Sequence, residues 1–320
     1  MTRAEAELLL PALPVPWGET VAAAEAYLRA STAPATRRAY ASDWRLFTAW
    51  AEAQGFVTLP AAAETVALFL AAQAELGVAP STLARRAAAL RYAHEAAGHT
   101  TPTQSKLVAA TLAGIRRTHG AAPQGKAPAT AERIAAMVVH CPPTLAGQRD
   151  RALLLLGFAG AFRRSELVAL AVADLETVPE GLKVRIRRSK TDPTGQGQVI
   201  PILNGSRLRP VDALRTWLTA AGIAQGPVFR PFTKAGRPRP VALSDRSVAN
   251  LVKHYAGQAG FAAEDFSGHS LRAGFLTSGA EAGASLFKLL EVSRHRRLES
   301  VRHYVRLAEL FKDHAGADFL

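Results

Sequence analysis

Apolar residues in the first 120 positions recur every three or four residues, and glycine or proline separates the recurring stretches. Residues 36–54 place Tyr40, Trp44, Phe47 and Trp50 at helical spacing, with a glycine directly after them. This spacing is typical of a helix that packs one face on a core. No stretch alternates with period two, so we predict an all-α unit. Its helices are predicted over residues 19–30, 36–54, 64–76, 81–97 and 103–119.

Residues 121–129 interrupt this pattern with two prolines, a glycine, a lysine and no bulky apolar side chain, which is typical of a linker. Further on, residues 183–187 alternate in polarity, 191–197 have a turn composition and 198–203 are apolar, so we predict a β-hairpin. Helices are predicted over residues 130–139, 148–161, 165–173, 212–221, 244–259, 269–282, 286–292 and 298–314. The predicted domains are therefore 1–120 and 130–320, with 121–129 between them.

The composition, 48% hydrophobic and 20% charged over 320 residues, is that of a globular protein. The single cysteine, Cys141, cannot form an intrachain disulfide, which suits a reducing cytoplasm. The longest strongly apolar run, residues 153–162, is half the roughly 20 residues that a membrane helix needs. Glu5 and Glu7 near the amino terminus are unlike a signal peptide. We therefore expect a cytoplasmic protein with no membrane partner.

The charge is distributed unevenly along the chain. The formal net charge is +13, but residues 1–120 hold 11 basic and 9 acidic side chains, whereas residues 121–320 hold 28 and 17. An excess of this kind predicts a surface that binds a polyanion, located mostly in the second domain. Charge alone is equally compatible with a surface that only keeps the protein soluble.

Two segments of the second domain centre on arginine and lysine. In GAFRRSELVAL, Glu166 follows Arg163 by three residues, which also fits a simple ion pair at a helix start. In RRSKT, Lys190 lies at the tip of the predicted hairpin, where a solvated lysine is the ordinary interpretation.

Two further segments carry histidine and tyrosine. In SGHSLR, His269 and Arg272 share one face of a helix start. No Cys, Asp or second His stands at ligand spacing, so we expect no metal there. In RHRRLESVRHYVR, Tyr304 follows His295 by nine residues and adjoins an apolar stripe, which by itself fits a core aromatic.

Taken together and in this order, the four segments resemble the catalytic motifs of the tyrosine recombinases, the phage integrase family. The stretch STAPATRRAYASDWRLFTAW is similar to the opening helices of that family's core-binding domain. The resemblance covers nearly the whole chain. It implies a mainly α fold, in which a small all-α, SAM-like core-binding domain precedes a larger α+β catalytic domain with a β-hairpin.

The resemblance also implies strand cleavage and rejoining on DNA without a metal or other cofactor. Tyr304 would attack a scissile phosphate and form a 3′-phosphotyrosyl link. The implied partners of this reaction are Arg163, Arg272 and His295 on the phosphate oxygens, Lys190 as proton donor to the leaving 5′-oxygen, His269 for proton transfer at the tyrosine, and Glu166 as support for Arg163.

Two positions depart from the common family pattern. Arg294 precedes His295, where the family often has glycine. Arg164 follows Arg163, so the choice between these arginines depends on the three-residue spacing to Glu166.

The implied partner is double-stranded DNA with specific recombination sites, bound by a clamp of two domains in a homotetramer, with no small-molecule substrate. Packing of the last residues, through Phe311 and Phe319, on a neighbouring protomer or on their own domain stays open. Two alternatives also stay open, namely an inactive DNA-binding protein on the same scaffold and an enzyme like the type IB topoisomerases. Further candidate DNA contacts are Arg37, Arg38, Arg85, Arg86, Arg91, Lys126, Arg187 and Arg188.

Overall fold

The structure, a computed structural model, describes residues 18–120, 125–187, 197–295 and 298–308. The chain divides into two compact units, Met1–Gln124 and Gly125–Leu320, and the division falls inside the predicted linker. Within the described ranges, no helix is long and apolar enough to cross a bilayer.

The first unit is all-α, as predicted. Proline stands in the first turn of two of its helices, where a missing N–H costs no hydrogen bond. Phe47, Phe69, Leu83 and Leu90 are fully buried and form the centre of its core. The helices are α1 (Gly18–Ser31), α2 (Pro34–Ala53), α3 (Ala63–Glu75), α4 (Pro80–Ala96) and α5 (Lys106–His119).

A buried carboxylate joins α2 to α4. Asp43 on α2 is 5% exposed, and its Oδ2 accepts a hydrogen bond from Arg85 Nη1 at 2.5 Å. Arg86 Nε lies 3.9 Å from the other oxygen of Asp43, and Arg86 Nη1 donates to Gln73 on α3. We call Asp43, Gln73, Arg85 and Arg86 the Asp43 cluster. It links three helices of the first unit through polar side chains.

The second unit surrounds one apolar helix. Leu153, Leu154, Leu155 and Leu156 on α7 are all buried, so this helix is covered on every side. The elements are α6 (Ala131–Val139), α7 (Leu145–Ala159), α8 (Arg164–Ala169), β1 (Leu175–Val178), β2 (Gly181–Ile186), β3 (Gln198–Leu203), α9 (Pro210–Ala220), α10 (Asp245–Gln258), α11 (Ser270–Glu281), α12 (Leu286–Ser293) and α13 (Glu299–Ala308).

The strands form an antiparallel sheet in the order β1-β2-β3. The predicted hairpin is β2 and β3, in which Leu182 pairs with Ile202 and Val184 with Ile200, all on the buried face. Strand β1 was not predicted, because its four residues LETV are too few to show a period. The helix predicted over residues 165–173 was too long: α8 ends at Ala169, and a 3₁₀ turn, Val172–Asp174, leads into β1.

The chain enters the second unit along α11. Ala127 N donates to Asp265 O at 2.8 Å, Ala129 N to Ser270 O at 2.9 Å, and Ala131 N to Ser278 Oγ at 2.9 Å. Gly274 on α11 permits this approach, because a Cβ there would lie 1.8 Å from the Ala129 carbonyl oxygen. The residues from 125 to 129, which the sequence assigned to the linker, therefore belong to the second unit.

Candidate active site

The junction between α7 and α8 presents Arg163 beside a buried carboxylate. Arg163 caps α8, and its backbone N–H donates to Glu166 Oε2 at 2.9 Å while Nη1 donates to Oε1 at 2.6 Å. The Glu166 side chain is 1% exposed, against 19% for that of Arg163. Arg164, the alternative by sequence, is exposed at the start of α8. Of these two neighbouring arginines, Arg163 is therefore the one that Glu166 holds.

The start of α11 presents His269 and Arg272. His269 is the helix N-cap and Arg272 lies in the first turn, as their spacing predicted. Arg272 is 1% exposed and donates from Nη1 to the Ala161 carbonyl at 2.8 Å. Its Nη2 lies 3.3 Å from His295 Nδ1. Arg272 is thus held by the α7–α8 junction and lies beside His295, which follows the end of α12.

The end of α12 brings an unexpected residue into the site. Arg294 has a left-handed backbone, with φ 57°, and its side chain is 3% exposed. Its Nη2 donates to Glu166 Oε2 at 2.7 Å and to the Ala161 carbonyl at 3.0 Å. One signal for this residue is visible in the sequence, namely an arginine where the related pattern often has glycine, but that signal did not reveal that the side chain turns inward.

His295 is oriented by the hydroxyl of Ser293, which is fully buried. Ser293 Oγ lies 2.5 Å from the Leu289 carbonyl, which can only accept, so the hydroxyl donates there. The same Oγ lies 2.8 Å from His295 Nδ1 and therefore accepts a hydrogen bond from it. In the neutral ring this arrangement leaves the lone pair on Nε2.

Burial and nearby arginines set the protonation of both histidines. Burial lowers the pKa of His295 to about 3, and the charges of Arg272 and Arg163 contribute to that shift. Burial and the same two charges lower the pKa of His269. Both rings are therefore neutral at pH 7.

The charged side chains of the site carry a net positive charge. Burial, with the charges of Arg163 and Arg294, lowers the pKa of Arg272 to about 9, so it stays a cation at pH 7. Burial works to raise the pKa of Glu166, but the charge of Arg294 and the hydrogen bonds from Arg163 bring it below its usual value. Three guanidinium groups and one carboxylate leave two positive charges among neutral histidines. Such a site suits an anion that brings its own hydrogen-bond acceptors.

Tyr304 lies on α13 next to these groups. It is half-buried and packs with Val305 against Leu276, Leu289 and Val301. Burial raises the pKa of the Tyr304 phenol, and the charge of Arg272 partly opposes that increase. The phenol is therefore protonated at neutral pH. Within the described ranges, no group of three His, Cys, Asp or Glu side chains is placed to hold a metal ion.

The remaining predicted residues are scattered. Lys190 and Arg188 lie outside the described residues. Arg187 directly follows β2 and donates from Nε to Asp174 at 2.5 Å. Lys126 is exposed and donates to the Glu264 carbonyl at 2.8 Å.

The candidate DNA contacts of the first unit differ in exposure. Arg37 is half-buried and Arg38 is exposed. Arg91 is exposed and lies 3.5 Å from Glu95. The side chain of Arg85 is 43% exposed, whereas that of Arg86 is 13% exposed and points into the Asp43 cluster. The phosphate contact that we predicted for Arg86 stays a prediction, although its guanidinium is largely taken up by Asp43 and Gln73.

Comparison with known proteins gives matches over both units. The profile of the phage integrase family matches residues 129–310, and that of the phage integrase N-terminal SAM-like domain matches residues 25–100. An integrase/recombinase XerD homologue of Selenomonas ruminantium is 38% identical over 294 residues, which cover 90% of this chain and 86% of that protein. A tyrosine recombinase of Synechococcus elongatus is 31% identical over 291 residues, covering 85% and 84%.

Solved structures show the same fold. The XerH site-specific recombinase bound to a palindromic difH substrate matches with a TM-score of 0.56 at 14% identity, covering 78% of this chain and 70% of that one. A lambda integrase dimer bound to a COC′ core site matches with a TM-score of 0.54 at 16% identity, covering 95% and 93%. These matches confirm the fold that the sequence predicted.

Proposed function

The chain belongs to the phage integrase family, and we propose that it is a site-specific DNA recombinase that cuts and rejoins strands through Tyr304. One observation carries the proposal. Three guanidinium groups share the one carboxylate of Glu166, so two positive charges beside Tyr304 have no counter-charge among the described side chains. A phosphodiester supplies the missing negative charge.

Arg163 and Arg272 would bind the non-bridging oxygens of the scissile phosphate. Attack on a phosphodiester builds negative charge on these oxygens, and a planar guanidinium can meet two of them at once. Glu166 fixes Arg163, and the Ala161 carbonyl fixes Arg272, so neither arginine must reorganise during the reaction. This arrangement supplies the charge stabilisation for which many phosphoryl-transfer enzymes use Mg²⁺.

The chemical step balances without a cofactor. The Tyr304 oxygen forms a bond to phosphorus as the bond from phosphorus to the 5′-oxygen breaks. The phenol proton passes to His269, which is neutral and able to accept it. Lys190 gives a proton to the 5′-oxygen. Attack of a 5′-hydroxyl on the phosphotyrosine reverses these transfers and rejoins a strand, and the bond energy is conserved.

His295 would respond to the phosphate. Its Nδ1 is engaged with Ser293, so Nε2 is the atom left for substrate. Burial is the main cause of its lowered pKa, and the charges of Arg272 and Arg163 add to it. A phosphate bound between these arginines offsets their charges and raises the pKa of His295, which favours a protonated Nε2 that donates a hydrogen bond to the phosphate.

Recombination between two duplexes needs four active sites, so we propose a homotetramer on DNA. An apolar pocket of the second unit supports this, because its lining includes Phe158, Pro201 and Phe275. The pocket offers a receiving surface for Phe311 or Phe319 of a neighbouring protomer. Crosslinked tetramers on DNA that are lost in F311A/F319A support both the tetramer and this docking. Tetramers that form unchanged in F311A/F319A contradict the docking, and the absence of tetramers with wild type contradicts the assembly.

We place the protein in the cytoplasm, together with its DNA.

Covalent capture tests the proposed chemistry. Duplexes enriched from a randomised pool by binding to the protein are nicked near the cleavage position and incubated with wild type and Y304F. We expect an adduct that survives denaturant in wild type only. No adduct in wild type indicates an inactive DNA-binding protein, and an adduct in Y304F moves the nucleophile elsewhere. Adducts without exchange between two duplexes indicate a topoisomerase-like enzyme.

A further inference from the structure

The residue between Ser293 and His295 occupies a backbone position that glycine favours. Arg294 ends α12 with φ 57° and ψ 38°. For a residue with a Cβ, this left-handed conformation is unfavourable, because the Cβ comes too close to the following carbonyl oxygen. Arginine therefore needs compensation from its side chain, and the contacts of that side chain show where the compensation lies.

The guanidinium of Arg294 is enclosed by the groups that hold Arg163 and Arg272. Its Nη1 donates to the Gly160 carbonyl at 3.0 Å and to that of Val292 at 2.7 Å. Its Nη2 reaches the Ala161 carbonyl, which also accepts from Arg272. Its plane lies over Phe162, 5.4 Å from the ring centre. One side chain thus spans the whole turn that precedes Arg163.

Arg294 also shares the carboxylate of Glu166 with Arg163. One carboxylate oxygen binds Arg163 Nη1 and the other binds Arg294 Nη2. Without Arg294, the buried carboxylate would neutralise Arg163 alone. With Arg294, its charge is shared between two cations, and the cluster keeps a surplus that a phosphate can use.

We propose that Arg294 is a positioning residue for strand cleavage, which shares Glu166 with Arg163 and fixes the Ala161 carbonyl that orients Arg272. It does not touch DNA, because its side chain is 3% exposed. This inference rests on the proposed recombinase function. Loss of the Arg294 side chain should slow the chemical step and leave DNA affinity nearly unchanged.

The test measures single-turnover adduct formation at saturating nicked duplex, together with the Kd of the same duplex by fluorescence anisotropy. In R294G, glycine relaxes the backbone but removes the guanidinium, and we expect the rate to fall about 100-fold. The Kd should change less than about threefold, as expected for a group outside the DNA contacts. The matched control is R209G, since Arg209 has φ 50° in an exposed turn away from the site. R209G should keep the wild-type rate.

A double-mutant cycle shows whether Arg294 acts through Glu166. In an E166Q background the carboxylate charge is gone, so adding R294G should cost far less than in wild type. An equal loss in both backgrounds, or a wild-type rate in R294G, overturns the proposal. If R294G melts below the assay temperature, R294K decides, because lysine keeps the charge but cannot bridge Glu166 and the carbonyls together. A reduced R294K rate supports the proposal and a wild-type rate overturns it.

These outcomes are distinct from failure of the proposed function. If wild type forms no adduct with any nicked duplex, the recombinase proposal itself fails. If wild type and R209G form the adduct at equal rates, the chemistry stands and only the behaviour of the Arg294 variants bears on this inference.

Discussion

Each unit of the protein packs arginines around a buried carboxylate, but the two clusters differ in where the unneutralised positive charge lies. In the Asp43 cluster, the excess cation is Arg85, whose side chain is 43% exposed and hydrated. At Glu166, the surplus lies on Arg163 and Arg272, whose exposures are 19% and 1%. Water can screen the first surplus and hardly reaches the second. The same pairing therefore stabilises a helix bundle in one unit and, in the other, leaves the charge that we propose binds a phosphate.

The two units also bury a histidine in different surroundings. His94 in the first unit donates to the Leu90 carbonyl and accepts from Ala61 N–H, so both ring nitrogens are satisfied by the backbone. Among the described residues, His295 is hydrogen-bonded through Nδ1, and nearby guanidinium groups contribute to its lowered pKa. The difference separates a histidine that holds a fold from one that can respond to a ligand.

The largest contrast is expected between Arg272 and Arg86. R272Q removes a fixed cation from the phosphate site and should lower the single-turnover cleavage rate by about 10²- to 10³-fold. R86Q removes a cation from the Asp43 cluster and should leave that rate within about threefold at saturating DNA. The rate of adduct formation checks both. A comparable loss in R86Q would mean that the first unit takes part in the chemistry.

Removing the carboxylate of the first cluster should affect stability instead. D43N leaves Arg86 buried without its ion pair, and we expect the unfolding free energy of the first unit to fall by about 2–4 kcal/mol. Calorimetry should show the loss in one of two transitions, while cleavage below that transition stays near wild type. The control is R91Q, whose exposed pair with Glu95 contributes less than about 1 kcal/mol. Equal effects of D43N and R91Q would contradict the structural role of the cluster.

The pKa values of His295 and His94 should diverge when DNA binds. In the free protein the folded-state pKa of His295 is about 3 and that of His94 is lowered too. Both rings therefore stabilise the fold above the unfolded pKa of about 6.5, and this contribution is lost as the pH falls towards the folded value. Duplex binding should raise the pKa of His295 and leave that of His94 unchanged. Imidazole titration by NMR in Y304F, free and DNA-bound, checks this, and parallel shifts would contradict it.

The smallest expected effect concerns salt. If Arg38 is a phosphate contact, R38Q should reduce the slope of log Kd against log salt by about 0.9. R86Q, with its arginine in the interior, should leave the slope unchanged. Anisotropy titrations over a range of salt concentrations check both variants. A reduced slope in R86Q alone would reverse our assignment of exposed and interior arginines.

The sequence predicted most of the helices and the order of the catalytic motifs, because both depend on spacing. Residues 36–54 carry a strong helical period, and α2 covers nearly the same stretch. Strand β1 was missed, because four residues give no period and its pairing with Val184 is a tertiary contact. The side chain of Arg86 was assigned to DNA since its local sequence is basic, but α2 brings Asp43 against it.

Arg294 shows the same limit at the site. The sequence places it beside His295, yet the carbonyls it binds lie at residues 160 and 161, more than 130 positions away. No local pattern encodes a contact of that kind. A residue type that conflicts with a positive φ is a usable warning, but the backbone angle itself comes only from the fold.

The hydrogen bonds that attach the entering chain to Asp265 and to α11 have a mechanical consequence. Ala127 is held by Asp265, Ala129 and Ala131 are held by the helix that carries Arg272, and Gly274 lets the backbones approach closely. A force that pulls on the chain ahead of Ala127 is therefore borne by α11 and not by a slack tether. The last residues of the predicted linker are thus fixed to the helix that carries Arg272.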